Sequence, residues 1–109
     1  MKYYRYLYTS DSIKKIEKYK LKLNTHNGFT SMYVILLSDN NDMLEIMNSI
    51  YLKLKYYRKH PKIVIGITKT YDEALDIVIN IINESIEKTG SPNVKEYLKL
   101  RAKTRDFTI

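Results

Sequence analysis

The segment 62–86, KIVIGITKTYDEALDIVINIINESI, decides the fold of this chain. Its first part, 63–67, is an unbroken run of β-branched apolar residues around one glycine, which is typical of a strand covered on both faces. Thr70 and Glu73 stand three residues apart and predict a capping box at a helix start. The apolar positions after this cap recur at helical spacing. The segment therefore predicts a buried strand that leads directly into a long, capped helix.

Two more strands are predicted upstream of this segment. Residues 2–9, KYYRYLYT, are rich in tyrosine and amphipathic on both faces, so we place them near a sheet edge. Residues 31–38, SMYVILLS, form a second apolar run bounded by polar residues, which indicates a buried strand. Composition favours 63–67 as the central strand, between 2–9 and 31–38. A sheet with 2–9 in the centre is a close rival, because tyrosine-rich strands can also be interior.

Helices are predicted between and after these strands. They are 12–24, 42–59, the long helix up to the break Thr89-Gly90-Ser91-Pro92, and about 92–102. Asp42 and Glu45 resemble a second capping box, and Ser91-Pro92 suits the N-cap and first position of the last helix. The order β-α-β-α-β-α-α predicts an α/β fold: a three-stranded parallel sheet with helices packed on both faces.

Length and composition limit the possible classes of protein. The chain has 109 residues, and we assign 1–103 to a single α/β domain and 104–109 to a flexible basic tail. There is no cysteine, which excludes disulfides, thiolate metal ligands and a cysteine nucleophile. The sequence has no signal-peptide pattern and no apolar run near the roughly 20 residues of a membrane span. We therefore expect a cytoplasmic protein that does not enter membranes.

Positive charge is concentrated towards the two ends of the chain. The net charge is +7, with +5 in residues 1–30 and +3 in residues 91–109, whereas residues 61–90 carry −2. A basic surface can attract nucleic acid, or it can pair with an acidic surface on a second copy. The abundance of Lys, Ile, Asn and Tyr also fits an AT-rich genome, so the charge by itself does not select a function.

Polar residues follow each predicted strand. In an open parallel sheet, ligands bind beyond the carboxyl ends of the strands, so a phosphate- or metal-handling site at this edge is one hypothesis. The alternative is that these residues only cap helices, because Ser, Thr, Asp and Asn are the residues preferred at helix starts. The residues concerned are Ser10, Asp11, Ser38, Asp39, Lys69 and Thr70.

Other chemical motifs are absent from the sequence. There is no glycine-rich phosphate loop and no nucleophile elbow. His26 and His60 fall at predicted turns, far apart in the chain. We therefore predict no catalytic residue, no metal ligand and no cofactor, and we expect that the protein is not an enzyme.

A row of lysines lies on the first predicted helix. Lys14, Lys18 and Lys22 recur every four residues and could follow the phosphates of a nucleic acid. The alternative is an ordinary solvated helix face, and no known nucleic-acid-binding motif accompanies the row. Nucleic-acid binding is therefore an alternative to the favoured hypothesis, which follows from the long helix.

The long helix carries more apolar residues than one buried face needs. Ile77 and Ile79 add to the core-facing set, so the helix is apolar nearly all round. Such a helix is buried on more than one side. The second side is covered either by the last helix or by another subunit. The favoured hypothesis is therefore a small, non-enzymatic interaction module that forms a homodimer.

The block 64–98 also carries a family pattern. Its matching residues are Gly66, Ile67, Tyr71, Ala74, Leu75, Thr89, Gly90, Tyr97 and Leu98, together with Tyr3-Tyr4 near the start. On these residues the chain resembles a family of small uncharacterised proteins from anaerobic Gram-positive bacteria. Thr68 stands where the family pattern has alanine. The resemblance implies a bacterial protein, and it brings no functional residues because the family has no assigned activity.

Overall fold

The computed structural model describes residues 2–25, 32–38, 43–60 and 62–103. The elements in chain order are β1 (Lys2–Thr9), α1 (Ile16–Thr25), β2 (Tyr33–Leu37), β3 (Leu44–Asn48), the 3₁₀ helix (Ser49–Lys53), α2 (Lys55–Lys59), β4 (Ile63–Thr68), α3 (Tyr71–Thr89) and α4 (Val94–Ala102). The predicted tail 104–109 lies outside the described residues. The described elements form a four-stranded mixed sheet with helices on both faces.

The strands lie in the order β1-β4-β2-β3. Strand β4 is parallel to β1 and antiparallel to β2, and β2 is antiparallel to β3. The central position of β4 and the edge position of β1 agree with the sequence prediction. The predicted three-stranded parallel sheet is wrong, because only the β1–β4 pair is parallel and a fourth strand is present.

The error comes from the predicted helix 42–59. Residues Leu44–Asn48 form β3, and Ile46 pairs with Ile35 of β2 in an antiparallel hairpin. Helical structure begins only afterwards, in the 3₁₀ helix and α2. Of the proposed capping box, Asp42 lies outside the described residues, while Glu45 pairs with Lys62 at 3.2 Å. Strands β3 and β4 run in the same direction, so the 3₁₀ helix and α2 form the crossover between them.

Alternate residues of the strands face two separate hydrophobic cores, as the pleat of a sheet requires. The α3-side core contains Tyr4, Ile35, Leu37, Ile65, Ala74, Ile81, Val94, Tyr97, Leu98 and Ala102. The α1-side core contains Tyr3, Ile13, Leu23, Met32, Val34, Leu36, Leu52, Val64 and Ile67. The alternation explains the apolar run of β2: Val34 and Leu36 face α1, whereas Ile35 and Leu37 face α3. Both faces of the central sheet are therefore covered.

Gly66 of β4 lies close to the backbone of β1. The pairing register of the two strands shifts between Tyr3 and Tyr8, so β1 bulges. A Cβ atom on Gly66 would lie 3.0 Å from Cδ1 of Ile35 and 3.1 Å from the carbonyl oxygen of Tyr8. The glycine in the apolar run therefore permits this close approach.

The ends of α3 follow the sequence prediction. The hydroxyl of Thr70 accepts the backbone N–H of Glu73 at 3.2 Å, and the Glu73 carboxylate accepts the backbone N–H of Thr70 at 3.1 Å. Gly90 ends the helix in the left-handed region at φ 75°. The start of α4 differs from the prediction, because its N-cap is Asn93 rather than Ser91. The side chain of Asn93 accepts the backbone N–H of Glu96 at 3.3 Å.

Candidate functional site

The predicted ligand edge is divided by the antiparallel direction of β2. Leu37, at the end of β2, pairs with Ile63 at the start of β4, whereas Thr9 of β1 pairs with Ile67 near the end of β4. Ser38 therefore lies at the opposite end of the sheet from Ser10, Asp11, Lys69 and Thr70. The five residue steps of β4 correspond to a separation of roughly 16 Å. Asp39 lies outside the described residues.

Ser10 and Thr70 do come together, in a network around the start of α3. The hydroxyls of Ser10 and Ser12 are 2.8 Å apart, and Ser12 donates to Oε2 of Glu73 at 2.8 Å. Thr70 donates its hydroxyl to Oε1 of Glu73 at 3.0 Å. The Ser12 hydroxyl is the main cause that lowers the pKa of Glu73. The network anchors the chain after β1 to the helix start, and Asp11 and Lys69 are exposed beside it.

The predicted lysine row is interrupted in the structure. Lys14 is exposed but precedes α1, which begins at Ile16. Lys18 is exposed on α1, and the side chain of Lys22 is outside the described part of the chain. Lys20 lies 5.1 Å from the ring centroid of Tyr3. The surface is basic, but Lys14 does not share a helical row with Lys18.

Neither a cluster of metal ligands nor a membrane-spanning helix is found among the described residues. Within residues 2–25, 32–38, 43–60 and 62–103, His, Asp and Glu form no group of three that could hold a metal ion. None of the helices in these ranges is long and apolar enough to span a lipid bilayer.

The tyrosines of β1 hold α4 against the edge of the sheet. The guanidinium of Arg101 lies 4.4 Å from the ring centroid of Tyr8 and donates to the carbonyl oxygen of Tyr6 at 3.0 Å. Tyr4 donates its hydroxyl to the carbonyl oxygen of Leu98 at 2.8 Å. Burial raises the pKa of Tyr8. Tyr4, Tyr6 and Tyr8 of β1 are therefore used for cation–π and hydrogen-bond contacts within the chain.

Helix α3 exposes a row of large aliphatic side chains on its outer side. Leu75, Ile79 and Ile86 are between 37% and 48% exposed, and the partly buried Ile82 lies between them. Steps of four, three and four residues place these side chains on one helix face. We call Leu75, Ile79, Ile82 and Ile86 the α3 surface. Ile82 also packs against the α3-side core, as Ile77 does, so it joins the surface to the interior.

A groove lies beside the α3 surface. It has a volume of about 520 Å³ and contains Ile82 and Val78 of α3. The rest of its lining comes from Met43, Leu44, Ser91, Pro92, Asn93 and Val94. Met43 is itself an exposed large apolar side chain. The apolar area on this side of the molecule therefore extends beyond the helix.

Acidic residues border the α3 surface on its other side. Asp72, Asp76 and Glu87 are exposed, and their helical positions place them along one flank of the row. The sequence of α3 holds five Asp or Glu residues and one Lys, which gives a charge of −4. The surface is thus apolar and acidic, although the whole chain is basic.

A second apolar surface is formed by the 3₁₀ helix and α2. Ile50, Tyr51, Leu54 and Tyr56 are each more than half exposed, and we call them the α2 surface. Leu52 and Tyr57 of the same segment contact the α1-side core. The sequence 50–60 holds four Lys or Arg residues and no Asp or Glu, which gives a charge of +4.

The sequence prediction missed the α2 surface. The apolar residues Ile50, Tyr51 and Leu54 fall within the predicted helix 42–59, whereas the structure exposes all three on and beside the 3₁₀ helix. The signal that could have identified the surface is the mixture of aromatic and basic residues without any acidic residue. The tyrosines are the informative part of this mixture, because aromatic residues are enriched at protein contact surfaces.

Neither known protein families, nor curated proteins, nor solved structures gave a match to this chain. The family resemblance on Gly66, Tyr71 and Tyr97 therefore stays a prediction.

Proposed function

We propose that this protein is a non-enzymatic interaction module that associates with further copies of itself. The observation that carries the proposal is the α3 surface, where Leu75, Ile79 and Ile86 are exposed on one side of a helix capped at both ends. Contiguous exposed apolar patches on small proteins commonly mark sites of protein contact.

The network at the start of α3 supports a non-enzymatic role. The hydroxyls of Ser10, Ser12 and Thr70 bond to one another or to the Glu73 carboxylate, which itself caps the helix. Groups engaged in this way hold the chain in place. Capping of α3 and anchoring of the chain after β1 therefore account for these polar residues without a ligand.

The size of the α3 surface indicates how strong the association should be. Complete burial of a Leu or Ile side chain contributes about 1.5–3 kcal/mol, and roughly half of each of the three side chains remains to be buried. The three together contribute roughly 2–4 kcal/mol, whereas a micromolar complex needs about 8 kcal/mol. A weak, concentration-dependent association is expected, with further contacts supplied by other residues.

The test is the mass of the protein in solution. Size-exclusion chromatography with light scattering at low salt should give a mass that rises above 13.0 kDa as the concentration increases. The variant Ile79→Ser should shift this rise to higher concentration, because it removes an exposed apolar side chain. Asn80→Ser changes the adjacent exposed residue and is the matched control, which should behave as wild type. A 13.0 kDa monomer at every concentration up to the millimolar range would contradict the proposal.

A further inference from the structure

We infer that the copies associate head to tail, with the α3 surface of one copy bound to the α2 surface of the next. This inference rests on the proposed function, because it specifies which surfaces meet when the protein self-associates. It replaces the homodimer expected from the sequence with a chain or ring of copies.

The charges of the two surfaces support this pairing. The exposed carboxylates beside the α3 surface are Asp72, Asp76 and Glu87, whereas exposed Lys55 and Lys59 lie beside the α2 surface. A two-fold dimer through either surface would bring like charges together, which is unfavourable at an interface. Head-to-tail pairing brings Asp72 and Asp76 near the exposed Lys55 and Lys59 instead. Charge complementarity therefore selects the opposite surface of a second copy as the occupant.

The side chains of the two surfaces also suit each other. Tyr51 and Tyr56 of the α2 surface are exposed aromatic residues, the type that contributes most to protein interfaces. The α3 surface offers an aliphatic row beside a groove of about 520 Å³. Aromatic rings packing on aliphatic side chains would supply the contacts that the α3 surface alone lacks.

The positions of the surfaces determine the kind of assembly. Helix α3 covers one face of the sheet, since Ile81 belongs to the α3-side core, while Leu52 anchors the 3₁₀ helix to the core on the other face. One copy therefore cannot join its own two surfaces. It can bind one neighbour on each side, so the interaction repeats until a ring closes or a short chain forms.

Two blocked variants test the pairing directly. Leu75→Ser with Ile79→Ser blocks the α3 surface, and Tyr51→Ser with Tyr56→Ser blocks the α2 surface. All four side chains are exposed, so both variants should keep the helical content of the wild type in circular dichroism. Each variant alone should sediment as a 13.0 kDa monomer. An equimolar mixture should form a dimer of twice that mass, because each partner supplies the surface that the other lacks.

The outcomes separate the inference from the proposed function. If the wild type never associates, both are wrong. If the wild type associates but the mixture remains monomeric, self-association stands and the head-to-tail pairing is wrong. The pairing is also wrong if either blocked variant associates alone as strongly as the wild type.

A charge exchange gives a second test that removes no apolar side chain. Asp76→Lys and Lys59→Glu should each weaken self-association, because each places like charges in the proposed interface. Mixing the two variants should restore association, since the two reversed charges then have opposite signs and meet across the interface. A mixture no stronger than the separate variants would overturn the pairing. Glu96→Lys makes the same change of charge at an exposed residue of α4 that belongs to neither surface, and is the control.

Discussion

Helix α3 and the segment formed by the 3₁₀ helix and α2 cover opposite faces of the same sheet, but they are held in different ways. Helix α3 has 19 residues, a capping box at its start and Gly90 at its end. The 3₁₀ helix has one side-chain cap, from Asn48 to the backbone N–H of Ile50, and α2 starts without one. Both elements nevertheless carry large exposed apolar side chains. The comparison shows that large apolar side chains are exposed both on a long, well-capped helix and on a short, weakly capped one.

Within α3, inner and outer isoleucines have different roles. Ile81 is fully buried, whereas Ile79, two residues earlier, is 46% exposed. Folding buries the first side chain completely and the second only by about half, so the second contributes less to the free energy of unfolding. The outer row is therefore free to stabilise a complex, and the predictions below separate the two roles.

The largest expected effect is the loss of a buried side chain from α3. Ile81→Ala should lower the free energy of unfolding by about 3–4 kcal/mol, because it removes apolar contacts and leaves a cavity in the α3-side core. Ile79→Ala changes the same residue type on the outer side and should cost less than about 1 kcal/mol. Urea unfolding of dilute protein measures both. Equal losses for the two variants would show that the outer row belongs to the fold.

The matching experiment on the other face should give a smaller loss. Leu52 is almost fully buried and anchors the 3₁₀ helix, so Leu52→Ala should cost about 2 kcal/mol. We place the cost at the low end of the range for such changes because a short, lightly capped element can relax into the space. Leu54→Ala, at an exposed position, is the control and should unfold like the wild type within about 0.5 kcal/mol. If Leu52→Ala costs more than Ile81→Ala, the 3₁₀–α2 segment is the more firmly held of the two.

Loss of the N-cap of α3 should likewise cost more stability than loss of the N-cap of the 3₁₀ helix. Thr70→Ala removes the hydroxyl that accepts the Glu73 backbone N–H, and should cost about 1 kcal/mol. Asn48→Ala removes the corresponding bond to Ile50, but the element that it caps has only five residues. We expect Asn48→Ala to cost about a few tenths of a kcal/mol, at or below the lower end of the range for replacing an N-cap residue by alanine. Thermal unfolding of both variants under one set of conditions makes the comparison, and a larger loss for Asn48→Ala would reverse it.

The smallest expected effect is a pH dependence at Glu73. Its pKa is lowered in the folded chain, chiefly by the Ser12 hydroxyl, so the ionised carboxylate stabilises the fold at neutral pH. That contribution is lost as the pH falls through the folded pKa, below the ordinary value of about 4.3. Glu73→Gln should therefore be less stable than the wild type at pH 7, and the difference should shrink in acid. A difference that stays constant between neutral and acid pH would show that ionisation of Glu73 does not contribute.

The parts of the fold that sequence alone predicts are those with strong local signals. The apolar run around Gly66, the capping box of Thr70 and Glu73, and the glycine at position 90 each require one conformation, and the structure has all three. The central place of β4 followed from its uninterrupted apolar character. These features depend on residues that are neighbours in the chain.

The parts that sequence did not predict depend on distant partners. The residues of β3 fit a helical period and a strand alternation almost equally well, and the choice is made by pairing with β2. The direction of β2 follows from that hairpin, and with it the division of the predicted ligand edge between Ser38 and Ser10. The contact of Arg101 with the tyrosines of β1 joins residues 93 or more positions apart. No local pattern could indicate it.

The measurement that tests the head-to-tail pairing most directly is a map of backbone amide chemical shifts in the wild-type protein at rising concentration. We predict two separate groups of concentration-dependent shifts, one in α3 around Ile79 and one in residues 50–60. Both groups should recede together when salt is added, because the interface pairs opposite charges. Shifts confined to one of the two surfaces would indicate a two-fold dimer and contradict the pairing, and a spectrum independent of concentration would contradict self-association itself.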